Sequence, residues 1–197
     1  MTELCFVTHN PHKVREIRQM LGKTFRVLSL DDIGYFEEIP ENQQTLEGNS
    51  FEKAKTIFGK FQIPSFADDT GLEVPAINNE PGIYSARYAG PQKNSDDNID
   101  LLLRKLIDIK DRKARFRTVI TLIDRSGPRQ FEGIVHGKIT RVREGSEGFG
   151  YDPVFIPEGY QKTFAQLMLE EKNRISHRGI AFRKLVRYLQ EKSISDQ

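Results

Sequence analysis

Only one cysteine, Cys5, occurs in the 197 residues, so an internal disulfide is excluded. It lies in the apolar run "LCFV", where a thiol behaves as a small buried hydrophobe. A chain without disulfides fits a reducing compartment. Long hydrophobic runs are also missing, and none approaches the roughly 18 residues that a membrane-spanning helix needs. The opening stretch "MTELCFVTHN" lacks a basic leader followed by an apolar signal core, and the expectation is a cytoplasmic protein. Charge of one sign is not in excess either: 30 Lys and Arg stand against 28 Asp and Glu, for a formal net charge of +2. A sequence-independent binder of nucleic acid would be more basic or would concentrate its charge. The composition therefore favours a small-molecule partner over nucleic acid or a membrane. Internal repeats, low-complexity tracts and long linkers are absent too.

What remains is an ordinary globular composition, 37% hydrophobic and 29% charged, long enough for a substantial core. It is read as a single domain over residues 1–197, built from two closely packed lobes. "ELCFVT" is a short apolar strand. Asn10 and Pro11 then supply a helix cap and a first-turn proline, and Val14, Ile17 and Leu21 recur at helical spacing up to a stop at Gly22. "FRVLSL" completes a strand–helix–strand unit. A second helix is expected to carry Phe51, Ala54, Phe58 and Phe61 on its buried face. "PSFADDTGLEV" reads as strand, turn at Thr70-Gly71, strand. Ser95 or Asp96 caps a helix that buries Ile99, Leu102, Leu103, Leu106 and Ile107. "ARFRTVITLID" and "QFEGIVHGKITRV" form a long hairpin. The C-terminal "SHRGIAFRKLVRYLQEK" is an amphipathic helix with Ala181, Leu185, Tyr188 and Leu189 inward. Crossover and hairpins together point to an α/β fold with a mixed sheet.

Four polar segments interrupt this pattern. "THNPHK" joins the first strand to the first helix, where α/β sheets gather ligands and a helix start offers free N–H groups to anions. Lys13 opposes the helix dipole there; it is either a phosphate contact or a solvated lysine. Asp68 and Asp69 stand side by side after an apolar run, and Glu41 and Glu47 flank the start of the second helix. Converging carboxylates are the hard oxygen ligands that Mg²⁺ takes. Read singly, each glutamate also suits a helix N-terminus, and the aspartate pair also suits a turn. "GFGYDPVF" sets Phe149 and Tyr151 among glycines, either as a platform for a purine or as an aromatic-anchored turn. "EEKNRISHRG" brings Lys172, His177 and Arg178 to the start of the last helix, where His177 is either a ligand contact or a cap.

Taken in order, Thr8-His9-Asn10…Lys13, "SFADDTGLEV", "PGIYSARYAG", "GFGYDPVF" and "EEKNRISHRG" resemble the inosine triphosphate pyrophosphatase family, the dITP/XTP diphosphatases, over about residues 4–189. The resemblance implies a long twisted mixed sheet flanked by helices, two lobes with a central substrate cleft, and a homodimer. It implies Mg²⁺-dependent hydrolysis of ITP, dITP and XTP to the monophosphate and pyrophosphate. Carried onto this chain, it puts Thr8, His9, Asn10, Pro11, His12 and Lys13 along the triphosphate, with Thr8, Asn10 and Lys13 in contact. It puts Asp69 at the metal and at the attacking water, with Glu41 and Asp68 as further metal ligands, and Thr70 against the substrate. Phe149, Gly150, Tyr151 and Asp152 border the base and sugar, and Lys172, His177 and Arg178 recognise the base. Two departures stand out. His9 replaces the usual Gly or Ser, and "LEGNS" shifts Glu47 by one position, which favours Glu41 as the upstream ligand. The alternatives are a Maf-like pyrophosphatase of other base preference and a non-catalytic nucleotide- or RNA-binding module.

Overall fold

The computed structural model describes residues 2–21 and 25–195, without the side chains of residues 12, 16, 20 and 193–195. The helix stop expected at Gly22 lies outside the described residues. Along the chain run β1 (Thr2–Phe6), α1 (Pro11–Leu21), β2 (Phe25–Leu28), α2 (Leu46–Phe61), β3 (Ser65–Val74), β4 (Glu80–Gly82), α3 (Ser95–Lys105), β5 (Lys113–Asp124), β6 (Gly127–Ile139), β7 (Phe155–Pro157), α4 (Leu169–Ile175) and α5 (His177–Ser195). Among the described residues the strands form one seven-stranded sheet ordered β2-β1-β3-β5-β6-β7, with β4 paired to β3. β1 runs parallel to β2, with Leu4 opposite Val27, and parallel to β3, with Cys5 opposite Ser65. β4 on β3 and β7 on β6 are antiparallel. The mixed α/β sheet expected from the sequence is the one the chain builds.

Two units divide the chain. The first comprises Met1–Asp69, Val119–Glu132 and Ala181–Gln197; the second comprises Thr70–Thr118 and Gly133–Ile180. In the first unit, side-chain alternation along the strands feeds two cores. Leu4, Phe6, Phe66, Ile120 and Leu122 join α1 and α5 through Ile17, Leu21, Phe182 and Leu185. Their neighbours Cys5, Val7, Ala67 and Ile123 join α2 through Ala54 and Ile57. A sheet covered on both faces needs apolar residues at every position, which accounts for the unbroken run "LCFV". Phe6 stacks on Phe66 with ring centroids 4.7 Å apart, and Phe182 meets both edge-on. Such pairs add about 0.5–1.5 kcal/mol beyond their buried area.

The second unit has its own core of Leu72, Val74, Ile99, Leu102, Phe116, Phe155 and Phe164. β3 enters it as one continuous ten-residue strand, so the turn expected at Thr70-Gly71 does not form. Gly71 serves a different purpose: a Cβ there would lie 2.7 Å from the carbonyl oxygen of Gly82, so glycine lets β4 approach. α3 is capped by Asn94, whose side chain accepts from the backbone N–H of Asp96 and Asp97, one residue ahead of the expected cap. Ile107, expected inward, follows the helix end and is exposed. "EEKNRI" is helical rather than a loop, forming most of the short α4.

Candidate functional site

In the first unit the polar residues gather where β1 gives way to α1, beside the middle of β3. Thr8 Oγ1 accepts from the backbone N–H of Asn10, and Asn10 Oδ1 accepts from that of Lys13, so both side chains cap the start of α1. Pro11 opens the helix, as the sequence led one to expect. The cap aims the Lys13 side chain at the middle of β3, where its ammonium donates to both oxygens of Asp68, at 2.9 and 2.7 Å. His9 Nε2 donates to the carbonyl oxygen of Glu37 at 3.1 Å, tying this turn to the segment that leads to Glu41. The side chain of His12 lies outside the described residues.

Asp68 and Asp69 part company for the reason that alternation dictates. Asp68 shares the parity of Phe66 and faces α1, where Lys13 meets it; its side chain is 1% exposed. Asp69 shares the parity of Ala67 and faces α2. There Asn49 Nδ2 donates to its Oδ2 at 3.0 Å, and Lys53 Nζ lies 3.7 Å from its Oδ1. Lys53 also donates to Glu41 Oε1 at 2.9 Å and to the Asp68 carbonyl oxygen at 2.8 Å. Glu41 and Asp69 are thus brought to one cation, while Asp68 is directed to another.

α2 is held in place for this by its own buried polar stripe. Ser50 Oγ and Thr121 Oγ1 hydrogen-bond at 2.7 Å, and Gln130 Nε2 donates to Thr121 Oγ1 and to the Glu47 carbonyl oxygen. Thr45 caps the helix by accepting from the Gly48 N–H. Burial pushes the Asp69 carboxyl above the usual carboxylate range, against the pull of Lys53 and Asn49. Burial alone would weaken the Lys53 ammonium, and the charges of Asp69 and Glu41 outweigh it, leaving Lys53 above its ordinary value and charged.

The second unit assembles the other predicted residues. Phe149 is 47% exposed on the glycine-rich loop. Its backbone N–H donates to Asp152 Oδ2 at 2.8 Å, and Lys172 Nζ donates to the same oxygen at 2.5 Å. The Lys172 ammonium and the Arg178 guanidinium lie 4.9 and 5.1 Å from the centre of the Phe149 ring, within cation–π range. Gly148 turns the loop at φ +81, and a Cβ on it would strike Asp152 Oδ2 at 2.2 Å, so only glycine lets the carboxylate cap the Phe149 N–H. Gly150 carries the loop on at φ +60. Tyr151 points the other way: its hydroxyl donates to the Ser85 carbonyl oxygen in the core, and burial raises its pKa. His177 is likewise buried, its ring stacked on Phe116 at 4.5 Å. Thr70 pairs its hydroxyl with Thr118 at 2.7 Å.

Residues 4–188 match the sequence profile of the Ham1 family. The chain is a member of that family. It is 52% identical over 184 residues to the dITP/XTP pyrophosphatase of Flavobacterium johnsoniae, covering 93% of this chain and 96% of that one. It is 50% identical over 190 residues to the dITP/XTP pyrophosphatase of Porphyromonas gingivalis, covering 96% and 98%. The solved Ham1 protein of Staphylococcus aureus superposes with a TM-score of 0.91 at 36% identity, over 97% of this chain and all of that one. Membership in the Ham1 family bears out the resemblance drawn from the ordered motifs.

Two residues of this Ham1 site escape a reading of the motifs: Asn49 and Lys53. Both sit in α2, whose buried face is Leu46, Asn49, Ser50, Lys53, Ala54 and Ile57 rather than the expected phenylalanines. Phe51, Phe58 and Phe61 are only partly buried at its flanks. The signal was present in the spacing: an asparagine and a lysine three and seven positions after Leu46 fall on the inward stripe, and a lysine there needs buried anionic partners. Among the described residues, no group of three or more His, Cys, Asp or Glu side chains is placed to hold a metal ion alone. No helix among them is long and apolar enough to cross a membrane.

Proposed function

We propose that the chain hydrolyses non-canonical purine nucleoside triphosphates (ITP, dITP and XTP) to the monophosphate and pyrophosphate. The observation that carries this is the convergence of Glu41 and Asp69 on a single cation position, in a chain half identical to proteins named dITP/XTP pyrophosphatases. The donor set suits Mg²⁺ chemically: two hard carboxylates, leaving the other coordination positions to the waters and phosphate oxygens that this ion prefers over an all-protein cage. Glu41 and Asp69 would hold it. Bound there, Mg²⁺ supplies charge neutralisation to the triphosphate and lowers the pKa of water.

The chain's own residues then have separable tasks. Asp69, positioned by the Asn49 amide, accepts the proton of the water that attacks the α-phosphorus. The bond from that phosphorus to the bridging oxygen breaks, and pyrophosphate leaves with the electron pair. Lys13, fixed in direction by Asp68, compensates charge on the departing group. Thr8 and Asn10 cap the start of α1 and so fix the direction in which Lys13 leaves the helix. Little covalent help is required, and positioning with charge compensation carries the rate.

Base selection is assigned to the Phe149 cluster. The Phe149 ring offers a stacking face, and Arg178 and Lys172 offer donors. Hypoxanthine and xanthine present a 6-oxo acceptor and an N1–H donor, which adenine reverses. A donor facing adenine would lose its partner, and such mismatches discriminate strongly. Arg178→Ala should lower the ITP-to-ATP ratio of kcat/KM by about tenfold or more; an unchanged ratio removes Arg178 from base recognition. The same reading makes the protein a cytoplasmic homodimer that clears deaminated purines from the precursor pool.

Release of pyrophosphate from a panel of purine and pyrimidine triphosphates, with Mg²⁺ and with EDTA, tests the proposal. ITP, dITP and XTP should lead the panel, and EDTA should abolish turnover. A pyrimidine preference would place the chain with Maf-like enzymes, and binding without turnover would make it a nucleotide-binding module.

A further inference from the structure

Lys53 brings a fixed positive charge to the very carboxylates assigned to the metal. Its ammonium is 2.9 Å from Glu41 Oε1, 2.8 Å from the Asp68 carbonyl oxygen and 3.7 Å from Asp69 Oδ1. Its side chain is 7% exposed and its stem is packed into the buried face of α2, so the ammonium cannot retreat to water without dismantling that face. Among the described side chains, Glu41 and Asp69 face the Lys53 ammonium, and Asp68 meets Lys13. A divalent ion arriving alone would meet carboxylates already engaged and an ammonium that repels it at short range through a low-dielectric medium.

We propose that Lys53 is the built-in counter-ion of the metal position, competing with the divalent ion for Glu41 and Asp69 until a nucleotide phosphate gives its ammonium another acceptor. Metal and nucleotide then bind cooperatively. Whichever arrives first strengthens the other by the same factor, because the coupling is reciprocal. In the metal-free protein the two carboxylates stay neutralised, which keeps the facing negative charges of Glu41 and Asp69 compatible with a folded site. This inference rests on the assignment of the metal to Glu41 and Asp69.

Titration of the nucleotide-free protein with Mn²⁺, reading free ion by electron paramagnetic resonance, separates the two ideas. Lys53→Met should bind Mn²⁺ about tenfold more tightly than the wild type, whereas Lys53→Arg, which keeps the charge, should not tighten it. Equal or weaker binding in Lys53→Met overturns the counter-ion role. Unaltered binding in both Glu41→Gln and Asp69→Asn overturns the metal assignment itself, and the counter-ion role with it. If Lys53→Met does not fold, the wild type still answers: Mg²⁺ must shift the nuclear magnetic resonance signal of the Lys53 ammonium. A signal that stays in place while Mg²⁺ binds overturns the proposal.

Discussion

Asp69→Asn lowers kcat by about 10²–10⁴-fold, the range in which a positioned general base contributes, and leaves the fold intact. The amide keeps the shape of the carboxylate but cannot take a proton from water or pair with a cation. KM for the nucleotide should rise as well when Mg²⁺ is limiting, because the variant loses a metal ligand and metal and nucleotide binding are coupled, so the kcat loss is read with both at saturation. The variant also reports on stability. Burial raises the Asp69 pKa in the folded chain above the unfolded value of 3.8, so the folded state holds this proton more tightly. Stability from this group is full below the unfolded pKa and is lost as pH rises through the folded one. In EDTA, the wild type should therefore lose ground to Asp69→Asn as pH rises from the acid range, and the gap should level off above the folded pKa. Thermal melts of both proteins across pH check the sign. Near-normal turnover in Asp69→Asn would take the residue out of the chemistry, whatever the melts showed.

The resemblance sent both adjacent aspartates to the metal, but neighbours on an extended strand face opposite ways, and that alternation gives them different partners. The structure extends the logic to the partners. Asp68 falls in line with Phe66 and finds α1, and Asp69 falls in line with Ala67 and finds α2. The caps of α1 were legible in the sequence, since Asn10 and Pro11 act within one turn of where they stand. Misreadings came where a residue answers to something distant in sequence. Gly71 resembles a turn glycine, but its task is to admit the carbonyl of Gly82. His177, assigned to the base by the resemblance, has its ring stacked on Phe116, 61 positions earlier, a contact that its place at a helix start does not announce. Lys53 looks like an ordinary helix lysine until Glu41 and Asp69 are folded against it from both sides in the chain. Local rules of capping and periodicity cover the first kind of residue; they say nothing of partners chosen by tertiary contact.

Lys13→Met should cost about 3–5 kcal/mol of stability, the penalty for stripping a buried ion of its partner. The pair is not a surface salt bridge: Asp68 is 1% exposed, Lys13 is 18% exposed, and both carboxylate oxygens accept from one ammonium. Once Lys13 is gone, Asp68 keeps its burial and loses the ammonium that meets both of its oxygens, which leaves a buried charge poorly compensated. Asp68→Asn in the same background removes the stranded charge. The double variant should therefore be more stable than Lys13→Met alone, and the two single costs should fail to add by about 1–3 kcal/mol. Urea unfolding of the four proteins measures this directly. A cost below about 1 kcal/mol for Lys13→Met, as exposed pairs give, would mean that water reaches the pair and that Asp68 is no anchor. The same cycle run on activity separates the two aspartates. Asp68→Asn should lose activity only through a misdirected Lys13, so adding Lys13→Met should cost little further, whereas adding it to Asp69→Asn should deepen the defect.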